Sequence, residues 1–161
     1  MIFEDLAEFA VATRGQALIG LDLGTKTIGV AVSDPLWTIA SPLETIKKTK
    51  FTNDAKALEK IVKARSLGGL VLGLPLNMDG TEGPRVQATR AFARNLNQHP
   101  QLGHLAIAFW DERLSTVAAE RALLEADSSR KKRGEVIDHV AAGFILQGAL
   151  DRLRSIEGGR S

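Results

Sequence analysis

Hydrophobic and polar positions along the chain form two kinds of pattern, one typical of strands and one typical of helices. Runs of consecutive apolar residues predict strands at residues 17–23, 27–32, 70–74 and 105–110. A more polar run at residues 38–46 contains Pro42, which is tolerated in a strand at the edge of a sheet. Residues 24–26 are turn formers between the first two runs, so these two runs predict a β-hairpin.

Apolar residues at helical spacing predict the remaining elements. The predicted helices cover residues 2–12, 52–67, 84–97, 115–124 and 135–153. Gly68 and Gly69 are expected to end the second of these helices. The order of elements predicts an α/β fold, in which an antiparallel hairpin unit continues into parallel strands and helices cover both faces of the sheet.

The domain organisation follows from the same pattern. We expect a single domain over residues 17–155, because neither an internal repeat nor a linker interrupts it. Residues 1–16 are expected to form a helical extension in front of this domain. Residues 156–161 are expected to form a frayed tail.

Composition narrows the available chemistry. The 161 residues are 44% hydrophobic and include no cysteine, which rules out disulfides, thiolate metal sites and a thiol nucleophile. The three histidines are not spaced as a ligand pair, so hard cations held by carboxylates are the favoured metal chemistry. The sequence lacks an apolar run near the roughly 18 residues of a membrane span and a basic signal region, so we expect a cytoplasmic protein without a membrane partner.

Charge is nearly balanced, with 21 Lys and Arg against 19 Asp and Glu, so net charge does not identify a nucleic-acid-binding protein. Basic residues are clustered, however, at residues 47–50 and 130–133, and Arg85, Arg90 and Arg94 share one predicted helix. Each cluster fits either a solvated surface or a contact with phosphate groups. Residues 127–134 lack apolar anchors and are expected to form a mobile loop that contacts phosphate.

Three carboxylates interrupt apolar sequence. Asp22 lies near the end of the first long predicted strand, and Glu112 directly follows another strand, beside Asp111. Asp138 falls on a stripe of the last helix that is otherwise small and apolar. Because side chains alternate along a strand, Asp111 and Glu112 are expected to point to opposite faces, and periodicity alone does not choose between them.

Each of these acids also has a purely structural interpretation. Asp22 could accept hydrogen bonds from the amides of the turn at Gly24 and Thr25. Glu112 could form a surface pair with Arg113. Asp138 could complement the N-terminal dipole of its helix.

The functional interpretation requires the three acids to converge at the carboxyl end of the first strand, the end at which α/β sheets collect ligands. Carboxylates packed together repel one another unless cations lie between them. Two divalent ions roughly 3.5–4 Å apart would satisfy them and support phosphodiester hydrolysis. We therefore predict that Asp22, Glu112 and Asp138 bind Mg²⁺ or Mn²⁺, with basic clusters holding the phosphate backbone.

Four segments carry a family pattern in the right order and spacing. They are GLDLGTKTIGVAVSD at residues 20–34, GLPLNMDG at residues 73–80, DERLST at residues 111–116, and IDHVAA followed by ILQ within residues 137–147. Over residues 17–153 the chain resembles the YqgF (RuvX) family. The resemblance implies a ribonuclease-H-like fold with a five-stranded mixed sheet, and a nuclease that acts on pre-16S rRNA or resembles Holliday junction resolvases.

The resemblance also implies catalytic and metal-binding roles for Asp22, Glu112 and Asp138. Better-known resolvases of this fold place a glutamate at the end of the strand that corresponds to residues 70–74, whereas here the acid follows the next strand. Expected partners are precursor rRNA or branched DNA, with ribosomal particles as a further partner. The residues expected to contact nucleic acid are Lys26, Arg113, Arg130, Lys131, Lys132 and Arg133.

Three further functions fit parts of the sequence. A sugar-kinase or actin-like phosphotransferase shares the segment DLGT at residues 22–25, but it would need a longer chain and a second Asp-x-Gly turn. A non-catalytic RNA-binding module and a DNA junction resolvase are compatible with the same fold and the same basic clusters. We favour processing of the 5′ end of pre-16S rRNA, although the same acids and basic surface would serve RNA and DNA equally.

Overall fold

The computed structural model describes residues 1–114 and 130–158, with residues 130–137 as backbone only. Its strands are β1 Ile2–Phe3, β2 Ala17–Leu23, β3 Thr27–Ser33, β4 Ala40–Lys47, β5 Leu67–Leu74 and β6 Ala106–Asp111. Its α-helices are α1 Leu6–Thr13, α2 Phe51–Arg65, α3 Pro84–Asn97 and α4 Arg130–Gly158, and a 3₁₀ helix covers Glu112–Leu114.

The strands form one mixed sheet in the order β1-β6-β5-β2-β3-β4. β2, β3 and β4 are antiparallel, whereas β5 is parallel to both β2 and β6. The predicted fold class and hairpin are confirmed, but the expected number of five strands is wrong. Ile2 and Phe3 pair in parallel with Ile107 and Ala108 as a sixth strand, which is too short to leave a period-two pattern in the sequence.

Helices cover both faces of the sheet, as expected. Helices α2 and α3 pack on one face, against residues such as Leu21, Val30 and Leu72. Helices α1 and α4 pack on the other face, against Leu18, Ala31 and other residues of opposite parity. Asp22 shares its parity with Leu18, so it belongs to the face covered by α4.

The boundary between α2 and β5 differs from the prediction. The helix ends at Arg65, and Ser66 adopts the left-handed conformation with φ of 52°. Gly68 and Gly69 are therefore not the helix stop but part of β5. A Cβ at Gly69 would lie 2.7 Å from the Thr13 side chain, so glycine is needed here because α1 packs closely on the strand.

Helix α4 begins earlier and ends later than predicted. Residues 130–134, expected to form part of a mobile loop, are helical, while residues 127–129 and the helix expected at 115–124 lie outside the described residues. Residues 156–158 are helical as well, and Glu157 pairs with Arg14 at 3.0 Å. Once the middle of a helix is packed against a sheet, adding residues at its ends is easy, because the free energy needed to extend a helix by one residue is far smaller than that needed to nucleate it.

Candidate active site

Asp22 is the first acid of the site and lies at the carboxyl end of β2. It is only 9% exposed and has the same parity as Gly20, where a Cβ would lie 2.7 Å from Leu146 of α4. The following turn is closed by its own backbone, since the Gly24 amide donates to the Thr27 carbonyl at 2.8 Å. The Gly24 amide is thus engaged by the turn itself and does not explain an acid at position 22.

The packing of α4 on the sheet places the backbone of Asp138 over the strand next to that of Asp22. Gly29 of β3 is the antiparallel partner of Asp22, and a Cβ at Gly29 would overlap the backbone carbonyl of Asp138. The Thr27 hydroxyl donates to the Asp138 carboxylate at 2.5 Å and so fixes its orientation. The helix can approach this closely because position 29 carries no side chain.

The helix dipole does not account for Asp138. Helix α4 begins at Arg130, which places Asp138 more than two turns along it. The dipole effect is confined to roughly the first turn, so a different reason is needed for a carboxylate at this position. Its neighbours on the buried face, Ala142 and Ile145, are fully buried, as the stripe in the sequence predicts.

Glu112 approaches the same row from the other side. Its Oε2 atom lies 3.2 Å from the position that a Cβ at Gly73 of β5 would occupy. Gly20 pairs with Val71, and the same register continued by two residues brings Gly73 next to Asp22. A carboxylate from beyond the end of β6 therefore reaches the end of β5, which has none of its own, by passing over a glycine.

Asp111 has a different environment from Glu112. Its carboxylate binds the Arg113 guanidinium at 2.8 Å, and this hydrogen bond holds the pKa of Asp111 below its usual value. The same pairing raises the pKa of Arg113. The expected surface pair between Glu112 and Arg113 is thus replaced by a pair between Asp111 and Arg113.

Arg113 also connects two segments at this edge. Its Nη1 donates to the Met78 carbonyl at 3.3 Å, which ties the 3₁₀ helix to the loop after β5. Three of its five side-chain N–H donors are therefore used within the protein. Its expected contact with nucleic acid stays a prediction, as do those of residues 130–133, whose side chains are outside the described residues.

The three predicted acids thus lie near one row of the sheet, on the face covered by α4. Asp22 belongs to β2, the backbone of Asp138 lies over Gly29 of β3, and the Glu112 carboxylate lies over Gly73 of β5. Neighbouring strands are about 4.8 Å apart, so the backbone of this row spans roughly 10 Å. The strands that lead to Asp22 and Glu112 are not adjacent, because β5 lies between them. The side chain of Glu112 extends over β5, towards the strand that carries Asp22.

The donor chemistry of this row suits a hard divalent cation, because all three groups are carboxylates. The acids do not form a closed metal site as they stand: among residues 1–114 and 130–158, no three His, Asp or Glu side chains are grouped closely enough to hold an ion. Binding an ion between them would require the side chains to draw together. Their role as ligands stays a prediction.

Two positions near the row are not identifiable as site residues from the sequence. Thr27 orients Asp138, and nothing in a β-branched strand residue marks it for that contact. Arg85, at the start of α3, donates from Nη2 to the Leu23 carbonyl at 2.9 Å and so lies at the end of β2. The sequence pattern marks Arg85 only as one cation of a basic helix.

The mixed sheet with helices on both faces defines the class of the protein: an α/β fold of the ribonuclease H type. The fold is similar to that of Thermus thermophilus RuvC in complex with a Holliday junction substrate, with a TM-score of 0.56, 11% identity and coverage of 88% of this chain and 97% of that one. It is equally similar to the yeast mitochondrial Holliday junction resolvase Ydc2, with a TM-score of 0.56, 10% identity and coverage of 96% and 87%.

The chain belongs to the RuvX family, whose model is described as Holliday junction resolvase and matches residues 16–152. A relative from Roseobacter denitrificans is 68% identical over 97% of this chain and 96% of its own length. Another, from Paracoccus denitrificans, is 70% identical over 96% of each chain. Both carry the name "Putative pre-16S rRNA nuclease". The resemblance found in the sequence is confirmed.

Proposed function

We propose that this chain is a metal-dependent endonuclease that processes the 5′ end of pre-16S rRNA, with Asp22, Glu112 and Asp138 as its acidic residues. Membership of a nuclease family supports hydrolysis of phosphodiester bonds. The names of relatives that are 68% and 70% identical support pre-16S rRNA as the substrate. The observation that carries the proposal is the placement of three acidic residues around one row of the sheet on the α4 face, where the Asp138 backbone lies over Gly29 and the Glu112 carboxylate lies over Gly73.

Asp22, Glu112 and Asp138 are the residues that would hold Mg²⁺ or Mn²⁺. When bound, such an ion supplies a nucleophilic hydroxide and stabilises charge on the leaving oxygen. The protein's own contribution is to fix the donors. The buried strand β2 holds Asp22, and the Thr27 hydroxyl orients the Asp138 carboxylate. Gly29 leaves room for the backbone of α4 at Asp138, and Gly73 leaves room for the Glu112 carboxylate.

Cations near the row would place the substrate. Lys26 lies in the turn before Thr27, and the Arg85 guanidinium lies at the end of β2. Both can neutralise phosphate charge on either side of the bond that is cut. Their contacts position the backbone and do not read base sequence, which fits a substrate recognised through its folded shape.

We also propose that the protein acts in the cytoplasm on ribosomal precursor particles. The names of the relatives support this setting. Among the described residues, no helix is both long enough and apolar enough to cross a bilayer.

Cleavage of two substrates side by side tests the proposed function. Purified protein would be given an RNA fragment containing the 5′ precursor region of 16S rRNA and a four-way DNA junction, each with Mg²⁺, with Mn²⁺ and with chelator. We expect metal-dependent cleavage of the RNA. Cleavage of the junction alone would instead support the family's description as Holliday junction resolvase, and binding without cleavage of either would support a non-catalytic RNA-binding module.

A further inference from the structure

A cavity of about 570 Å³ adjoins Asp138 on the side of the β3–β4 hairpin. Its walls come from the start of β3, the end of β4 and the helix α4. It is lined by Lys26, Thr27, Glu44, Thr45, Lys47 and His139. Because Thr27 binds the Asp138 carboxylate and His139 is the next residue along α4, the cavity and the row of acids share a wall.

The charge in this cavity favours an anion. Lys26 and Lys47 both line it, and no residue of the described ranges forms an ion pair with either of them. Strand pairing holds the two lysines together, since Thr27 is the partner of Lys47 and the Lys48 amide donates to the Lys26 carbonyl at 2.9 Å. Among the described residues the lining contains one carboxylate, that of Glu44, against these two lysines, so this part of the lining carries a net positive charge.

Two further polar groups, on β4 and α4, line the cavity. Thr45 Oγ1 lies 3.0 Å from His139 Nδ1, so a hydroxyl and an imidazole ring are held together there. Such groups form hydrogen bonds with sugar hydroxyls and base edges, and an imidazole can stack on a base. The cavity volume lies in the usual range of small-ligand sites, about 300–1,000 Å³.

We propose that this cavity binds one nucleotide of the substrate strand, next to the phosphodiester that is hydrolysed. Lys26 and Lys47 bind its phosphate, and the pair formed by Thr45 and His139 faces its sugar or base. The inference rests on the proposed function, because it takes Asp138 as part of the reacting centre. It adds a subsite that holds the strand in register with the acids.

Nuclear magnetic resonance of the full chain tests the subsite without relying on cleavage. Adenosine 5′-monophosphate is titrated into the wild type, with inorganic phosphate as a second probe. We expect the nucleotide to shift the amide signals of Thr27, Thr45 and His139, and phosphate to shift mainly those near the lysines. Shifts spread over distant surfaces, or none at the cavity, would overturn the proposal.

Matched variants test the role of the lysines. Lys47→Ala is expected to raise the dissociation constant of the nucleotide about tenfold, as expected for loss of one charge-assisted contact. Lys56→Ala removes one positive charge from α2, on the opposite face of the sheet, and should leave the dissociation constant of the nucleotide unchanged. Equal affinities of both variants would overturn the proposal.

The outcomes separate this inference from the proposed function. If the wild type cleaves RNA and Lys47→Ala neither weakens nucleotide binding nor slows cleavage relative to Lys56→Ala, only the subsite is wrong. If the wild type cleaves no nucleic acid but the nucleotide still shifts the cavity signals, the subsite stands as a binding site and the proposed nuclease function fails. His139→Ala should reduce the nucleotide-induced shifts while leaving those caused by phosphate.

Discussion

At the scale of single residues, the contacts of the Asp138 carboxylate could not be predicted from sequence patterns. The Thr27 hydroxyl donates to its carboxylate, and Asp22 lies on the neighbouring strand opposite Gly29. An asparagine could still accept the Thr27 bond through its oxygen, but it would carry no charge. Substitution of Asp138 by asparagine therefore tests the negative charge of this residue separately from its hydrogen bond with Thr27.

We expect Asp138→Asn to leave the melting temperature in chelator equal to or above that of the wild type, because repulsion from nearby acids is removed. The rise in melting temperature that Mg²⁺ gives the wild type should be lost, since a ligand is missing. Asp151→Asn, which alters an exposed carboxylate paired with Arg154 on the same helix, serves as the control. A destabilised variant that keeps the full Mg²⁺ effect would remove Asp138 from the metal-binding set.

The pair formed by Asp111 and Arg113 predicts a pH dependence. The Arg113 hydrogen bond lowers the pKa of Asp111 in the folded protein below the ordinary value of 3.8. The ion pair therefore contributes fully to the free energy of unfolding above pH 3.8, and this contribution is lost as the pH falls through the pKa of Asp111 in the folded protein. Arg113→Gln should raise the pKa of Asp111 towards 3.8 and remove this loss. Carbon-detected nuclear magnetic resonance titration of the Asp111 carboxyl measures both values. An identical pKa in the two proteins would show that the ion pair is not formed.

At the scale of elements, the seat of α4 on the sheet depends on glycines. Gly29→Ala would place a methyl group against the backbone of Asp138, which a side-chain rotation cannot relieve. We expect a loss of about 1–3 kcal/mol in the free energy of unfolding, the usual cost of overpacking, and displacement of the helix that carries Asp138. Urea unfolding measures the first effect. Gly158→Ala, whose Cβ would have no neighbour within 4 Å among the residues that the structure describes, is the control and should not be destabilised.

The sequence predicted individual elements better than their arrangement. The central strands were evident because burial on both faces leaves unbroken apolar runs such as those of β5 and β6. Alternation correctly separated Asp111 from Glu112. The placement of β5 between β2 and β6 could not be read from local patterns, because strand order is set by packing between distant elements. The extension of Glu112 over β5 therefore had no signal in the sequence.

Two glycines caused the error at the boundary between α2 and β5. Gly68 and Gly69 match a helix stop as well as they match a strand that another element approaches closely. The second explanation holds here because Phe9 and Thr13 of α1 fill the space over Gly69. Only the tertiary contact distinguishes the two.

At the scale of the whole molecule, the segment before β2 is part of the packed structure. Phe9 is fully buried and packs edge-on against Phe3 at 6.2 Å between ring centroids, and the terminal amine donates to the Leu105 carbonyl at 3.1 Å. Phe9→Ala should cost about 3–5 kcal/mol of the free energy of unfolding. Val11→Ala on the same helix, 53% exposed, should change it by less than about 0.5 kcal/mol. Equal effects in chemical denaturation would show that α1 is not part of the core.

The most direct test of the central claim is single-turnover cleavage of the pre-16S rRNA fragment in Mg²⁺ by the wild type, Asp22→Asn and Asp151→Asn. Asp22 is chosen because it lies in the middle of the row and its strand anchors the site. We predict that Asp22→Asn slows cleavage by about a thousandfold or more, as expected for loss of a group central to the reaction. The cleavage rate of Asp151→Asn should stay within about twofold of the wild-type rate. A twofold change is much smaller than the tenfold change in rate that about 1.4 kcal/mol of activation free energy produces. Cleavage by Asp22→Asn at the wild-type rate would contradict the account.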